Sequence, residues 1–256
     1  MVQIIWMSDL HFAAHGNVAG YDPRRRVEAA VDHINRHYGD ADLCVISGDL
    51  VNDATPEQYL ALGEVLDGLA VPYVPMVGNH DAREALAVGL QLPSERMGGF
   101  IQFAVPLAKV RLLCLDTLKP GSAAGEICAK RLAWIKTQLR THPDDPTLLF
   151  LHHPPMALGL PMQDIDRLEN GEALLDLVAG SSNVRFIGAG HVHRPVCGSV
   201  RGIAFATMRS VLMQAPPPRP CWDWGNFVPA DEAPAIGVID VTGDDVTLQY
   251  VEFLPA

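Results

Sequence analysis

Short apolar runs rich in β-branched residues recur along the chain at 3–7, 43–47, 73–77, 110–116, 147–151 and 184–187, and each breaks off abruptly into polar residues. Such runs read as strands. Between them the period changes. Over 24–37, Val27, Ala30, Val31 and Ile34 fall on one helical face, and Asp22 before Pro23 supplies the helix start. After the second run, Thr55 is placed as an N-cap, Pro56 as the first helical residue and Gln58 as the partner in a capping box. Tyr59, Leu62, Val65, Leu66 and Leu69 then form the apolar stripe of that helix. Further helices are expected over 128–140 and 171–179. Residues 203–208, 236–241 and 246–253 read as closing strands, with Thr242-Gly243-Asp244-Asp245 as the turn between the last two. The alternation of strand and helix is a βαβ rhythm.

The one compositional break is 215–225, whose prolines cannot continue a strand or a helix, and it reads as a long surface loop. A chain of 256 residues suits one α/β domain, so 1–256 is taken as a unit in which 208–256 supplies a C-terminal lid or oligomerisation loop and the closing strands. With 48% hydrophobic and 19% charged residues the chain is globular, not disordered. A net charge of −11 argues against a grip on long nucleic acid, which needs many phosphates neutralised by Lys and Arg. A small anionic substrate stays compatible, because bound divalent cations reverse the polarity of a site. No apolar run is long enough for a membrane span, and the N-terminus carries no leader-like pattern. The five cysteines, Cys44, Cys114, Cys128, Cys197 and Cys221, are an odd number without a C-x-x-C pair, which fits free thiols in a reducing cytoplasm.

Chemistry concentrates in five pieces, each behind a strand candidate: Asp9-Leu10-His11, Gly48-Asp49, Gly78-Asn79-His80-Asp81, His152-His153-Pro154 and Gly190-His191-Val192-His193. Read singly, the first is equally a helix-capping Asp beside a surface His, the second a turn and the last a solvated loop. The spacing of His191 and His193 is more pointed, since alternate strand residues face one side. Ligands of parallel α/β sheets collect beyond the carboxyl ends of the strands, so the five pieces are expected to meet. Together they offer carboxylates, an amide and imidazoles, with no thiolate, a set suited to borderline divalent metals. There is no Gly-x-Ser-x-Gly elbow and no P-loop.

In order and spacing these motifs resemble the calcineurin-like metallophosphoesterase superfamily, over Asp9 to His193. Within it the chain is similar to class III cyclic nucleotide phosphodiesterases and the related bacterial glycerophosphodiesterases. That likeness lies in Gly20-Tyr21-Asp22, Ser47-Gly48-Asp49-Leu50-Val51-Asn52, the run from His152 through Gly159, and Glu169-Asn170-Gly171. The resemblance implies an α/β fold, a four-layer αββα sandwich of two mixed sheets flanked by helices. It further implies that Asp9, His11 and His193 hold one metal, that Asn79, His152 and His191 hold a second, and that Asp49 bridges them. His80 is then a catalytic residue near the phosphoryl oxygen or leaving group, with Asn79 and His193 also facing substrate, while Asp81 and His153 orient the ligands. The expected reaction is in-line attack on a small phosphodiester by a water or hydroxide held by two metal ions, with manganese, or iron with zinc, as the metals. A phosphomonoesterase is the nearest alternative, and a metal-free scaffold the alternative of another class. His15, Asn17 and Tyr21 after the first motif, and Arg209, Trp222 and Trp224 in a lid, are candidates for substrate contact, each with a bland reading as loop or assembly residues. The resemblance also implies a homo-oligomer, a dimer or higher.

Overall fold

Strand residues two apart share a face, and here both faces of the central strands are buried. Val2, Ile4 and Trp6 of the first strand join one apolar cluster and Ile5 and Met7 another, which is why the run lacks the polar alternation of a half-exposed strand. The computed structural model describes residues 1–93, 97–219, 223 and 225–254. In chain order the elements are β1 (Val2–Met7), α1 (Pro23–Tyr38), β2 (Leu43–Ile46), α2 (Pro56–Leu66), β3 (Tyr73–Pro75), α3 (Arg83–Gly89), β4 (Phe103–Leu107), β5 (Val110–Cys114), α4 (Ala129–Thr141), β6 (Thr147–Leu151), α5 (Gly171–Ala179), β7 (Val184–Ala189), β8 (Cys197–Val200), β9 (Ile203–Thr207), β10 (Ala235–Thr242) and β11 (Asp245–Glu252).

Two mixed sheets result, one in the order β11-β10-β1-β2-β3 and the other β4-β5-β6-β7-β9-β8. β1, β2 and β3 run parallel, as do β5, β6, β7 and β9, whereas β10, β11, β4 and β8 pair antiparallel at the flanks. The sheets pack face to face through Trp6, Phe150 and Phe186, joined by Ile4, Val45, Leu112 and Ile239. Trp6 meets Phe150 edge-on at 5.4 Å and Phe186 at 6.1 Å, a geometry that ring quadrupoles favour. α1, α2 and α3 cover the outer face of the first sheet, and α4 and α5 that of the second. The arrangement is the four-layer αββα sandwich.

The helix starts follow from local chemistry. The Asp22 side chain accepts from the Arg25 amide and caps α1, and Thr55 accepts from the Gln58 amide at α2. Of the expected capping box the Thr55 half forms, while Gln58 reaches past the Thr55 amide to Asp53, donating to its carboxylate and accepting from its amide, so the loop before α2 is clamped two residues further out. Residues 242–245 form the expected tight turn, with Thr242 paired to Asp245 and Gly243 at a φ of 61°. α3, β4 and β8 were not anticipated. α3 has seven residues and no side-chain cap, β4 carries a proline at a sheet edge, and β8 is largely exposed, so none leaves an apolar period to read. β3 stops at Pro75, short of the expected 77.

Because Phe150 is fully buried between the sheets, Phe150→Ala should destabilise the protein by about 3–5 kcal/mol. The exposed Val88→Ala should change stability by less than about 0.5 kcal/mol. Midpoints of urea unfolding at unchanged slope check both.

Candidate metal centre

The parallel strands β1, β2 and β3 of one sheet and β6 and β7 of the other deliver their following loops to one end of the sandwich, which brings all five motifs together. Backbone bonds lock the first two loops edge to edge: Asp9 N donates to Gly48 O at 3.0 Å, and His11 N to Asp49 O at 2.9 Å. Asp9, His11, Asp49, His191 and His193 all have positive φ, between 41° and 71°. Side chains rarely adopt that region, and its concentration at one site is stored strain. It also corrects the reading of His191-Val192-His193 as alternating strand residues. The segment is a turn closed by Val192 N on Gly190 O, and the left-handed backbone at both histidines turns them to the same side. Close approach at the second loop needs glycine: a Cβ on Gly48, at φ 101°, would lie 2.5 Å from His152 Nδ1.

The donor atoms converge. His11 Nε2 lies 3.0 Å from His193 Nε2, and His193 Nε2 lies 3.3 Å from Asp9 Oδ1. Asn79 Oδ1 sits 3.1 Å from His152 Nε2 and 3.0 Å from His191 Nδ1. Asp49 Oδ2 stands between the two groups, 3.6 Å from His11 Nε2 and 3.3 Å from His152 Nε2. Carbonyl oxygens fix two tautomers: His152 Nδ1 donates to Ser47 O at 2.9 Å and His193 Nδ1 to Met213 O at 3.0 Å, which turns both Nε2 atoms to the centre. Among the described residues Asp9, His11 and His193 could hold an ion together, as could Asp9, Asp49 and His152. Many lone pairs facing one another without a thiolate is the chemistry of a borderline divalent cation site.

Burial raises the Asp9 carboxyl, but the charge and hydrogen bond of His193 and the charge of His152 outweigh it and bring the group down to about 2. Burial opposes the charging of His152, yet the charge and hydrogen bond of Asp49 lift it to about 9. Against burial, Asp9 raises His193 likewise. Burial pushes His11 and His191 down to about 3, His152 adding to the effect at His191. The buried carboxylates and the imidazoles beside them thus shift one another, Asp49 raising His152 and His193 lowering Asp9.

A family model described as calcineurin-like phosphoesterase matches residues 2–195. The chain belongs to the calcineurin-like phosphoesterase family. It is 33% identical to a probable cyclic nucleotide phosphodiesterase of Rhodopseudomonas palustris, covering 99% of this chain and 93% of that one. It is 32% identical to the glycerophosphodiester phosphodiesterase GpdQ of Enterobacter lignolyticus, over 82% of this chain and 77% of that one. A solved dimetal phosphatase from Danio rerio has the same fold, with a TM-score of 0.73 at 17% identity, covering 99% of this chain and 98% of that one.

Around the centre of this phosphoesterase a ring of supporting groups holds the loops. Asp81 accepts from the amides of Gly78 at 2.8 Å, Leu50 at 3.1 Å and Val51 at 3.4 Å, and from the Tyr59 hydroxyl at 2.9 Å. Burial and the charge of Asp49 push its carboxyl up to about 7, while these donors pull it down. His153 is engaged at both ring nitrogens, by Thr117 and by Ala123 O, and its ring walls that of His191 at 4.8 Å. Ser210 Oγ donates to Asp9 O. The sequence names Ser47 only as part of a motif and Tyr59 only as part of a helix stripe, and it does not single out Thr117, Ser210 or Met213, since hydroxyls and carbonyls that act on a loop leave no spacing signal.

Other candidates lie elsewhere. His15 is exposed and faces Glu57, and Tyr21 packs under the Arg26 guanidinium. Arg209 is buried against Glu232 and Glu252, so it ties the chain together and is no lid residue. Trp222, Trp224 and Cys221 fall outside the described residues.

Asp81→Ala strips four donors of their buried acceptor at about 1–3 kcal/mol each, so a loss of at least about 4 kcal/mol is expected. Asp81→Asn, which keeps one acceptor oxygen, should lose less. Denaturant midpoints of the two variants test the ranking.

Proposed function

We propose that this phosphoesterase hydrolyses small phosphodiesters, with 3′,5′-cyclic nucleotides or glycerophosphodiesters as substrate classes, at a centre of two metal ions. Asp9, His11 and His193 would hold one ion, Asn79, His152 and His191 the other, and Asp49 both. The observation that carries this is the Asp49 carboxylate, buried between the two groups with one oxygen within 3.6 Å of an imidazole nitrogen of each. The names of the Rhodopseudomonas and Enterobacter relatives support the substrate classes. Manganese, or iron with zinc, fits the oxygen and nitrogen donors.

When bound, the ions supply positive charge that polarises a phosphoryl oxygen and lowers the pKa of water. The chain's own groups do the rest. Asp49 and Asp9 offset that charge, and the Ser47 and Met213 carbonyls hold the tautomers that point Nε2 of His152 and His193 inward. His80 is anchored twice, its amide donating to Asp49 Oδ1 at 2.8 Å and its Nδ1 to Asn52 O at 2.9 Å. That leaves Nε2 to serve the phosphoryl oxygen or the departing alkoxide, so His80 is assigned catalysis and the seven other residues the metals.

A cytoplasmic homo-oligomer completes the proposal. Supporting it, Cys44 and Cys114 are buried free thiols, and no helix among the described residues is long and apolar enough to cross a membrane. Residues 208–256 are assigned to assembly because β11, at the open edge of its sheet, leaves Val246, Leu248 and Tyr250 only partly buried.

Metal-loaded protein should turn over bis(p-nitrophenyl) phosphate faster than p-nitrophenyl phosphate and lose both activities on chelation. A marked preference for the monoester would make it a phosphomonoesterase, and full activity after exhaustive chelation would remove the metals from the mechanism.

Two substitutions separate the roles. Asp49→Ala should abolish turnover and lower the metal content measured by elemental analysis. His80→Ala should keep the metals and slow kcat by about 10²–10⁴-fold, the range of general acid–base catalysis.

A further inference from the structure

Beside the centre lies a small cavity of about 50 Å³, lined by Gln163, His191, His193, Met213 and Phe227 among others. Gln163 is 4% exposed, and its Oε1 is buried with no hydrogen-bond partner among the described residues. A buried amide oxygen left without a donor lowers stability, and native proteins seldom keep one without a use. The backbone that carries Gln163 is pinned. The Asp164 carboxylate accepts from the amides of Leu158 at 2.8 Å, Gly159 at 2.9 Å and Leu160 at 3.0 Å, while Asp164 N returns to Leu160 O at 2.8 Å. An acceptor whose backbone is held this firmly beside two histidines of the centre is preorganised in position for a ligand donor.

We propose that Gln163 is a specificity-determining residue, accepting a hydrogen bond from a hydroxyl on the substituent that stays on phosphorus. The assignment rests on the phosphodiesterase reading above. An amide oxygen only accepts, so its partner must bring a proton. Room for a few non-hydrogen atoms suits the hydroxyl of a glycerol or ribose carbon and not a nucleobase ring. His80, assigned to the departing alkoxide, is absent from the lining, which leaves the cavity to the other substituent.

The test uses two diesters with one leaving group, glyceryl p-nitrophenyl phosphate and propyl p-nitrophenyl phosphate, on metal-loaded protein. Wild type should prefer the glyceryl ester in kcat/KM by at least about tenfold, and Gln163→Leu should bring the ratio to within about twofold of unity. A ratio cancels any general loss of activity in the variant. Calorimetric binding of glycerol 3-phosphate against propyl phosphate should show the same preference in wild type and its loss in the variant, without relying on turnover. Should Gln163→Leu fail to fold, Gln163→Met takes its place. Equal kcat/KM for the two esters in wild type, or an unchanged ratio in the variant, would overturn the role of Gln163 while leaving the phosphodiesterase reading intact. Wild type that cleaves neither ester would overturn the role of Gln163, and if it left bis(p-nitrophenyl) phosphate uncut as well, the phosphodiesterase reading with it.

Discussion

Asp9 and Asp49 are buried side by side, 0% and 2% exposed, at the edge where the two sheets meet. Taking one carboxylate out of water costs several kcal/mol even after relaxation, and a second beside it adds repulsion. The charges persist only if positive charge is supplied at the same place. Within the protein the neighbouring imidazoles answer it in part: Asp49 holds His152 up and His193 holds Asp9 down. Cations placed among the same atoms would supply more of it. The strained turns, the fixed tautomers and the supporting carbonyls all serve to keep the two carboxylates and four imidazoles facing one another.

The core and the centre are mechanically one object. Trp6, packed between the sheets, donates from its indole nitrogen to Ser47 Oγ at 2.8 Å, and Ser47 Oγ donates to Ser8 Oγ at 2.8 Å. The carbonyl of the same Ser47 receives His152 Nδ1 from the opposite sheet. The distance between the sheets, set by Trp6, Phe150 and Phe186, therefore also sets where His152 stands relative to Asp49. Cores are close-packed and yield little, so geometry at the centre is held by apolar surface several residues away. In catalysis a displacement of about 1 Å can cost on the order of 10²-fold, which makes this coupling more than architectural.

How much of this could be read from residues alone follows from the kind of signal each feature leaves. Strands buried on both faces print unbroken apolar runs, and helices such as α1 print a stripe closed by Asp22 and Pro23. The chemical residues printed themselves because His, Asp and Asn stand directly behind those runs. The half-exposed β4 and β8 and the uncapped α3 left no period. Ser47, Ser210 and Met213 act through a hydroxyl or a carbonyl, groups common along any chain, so only their placement reveals them. The left-handed turn at His191 and His193 was hidden for another reason: histidine enters that region more often than most residues, but a modest enrichment does not place a turn, which is a property of the closed fold.

The two halves of the centre are also built to different degrees. The loops of the first sheet are tied to one another by backbone bonds, Asp9 to Gly48, His11 to Asp49 and Asn52 to Phe12, and by Asp81 beneath them. Their side chains are consumed by the centre and its support. The loop after β6 is different, since Asp164 satisfies its amides internally and frees Gln163 from any structural bond through Oε1. The loop after β6 thus carries both His152, at its start, and, further along, a braced segment whose Gln163 Oε1 has no partner among the described residues. The bracing by Asp164 lies within 158–164, so the segment around Gln163 is held by its own backbone bonds and not by the carboxylates of the centre.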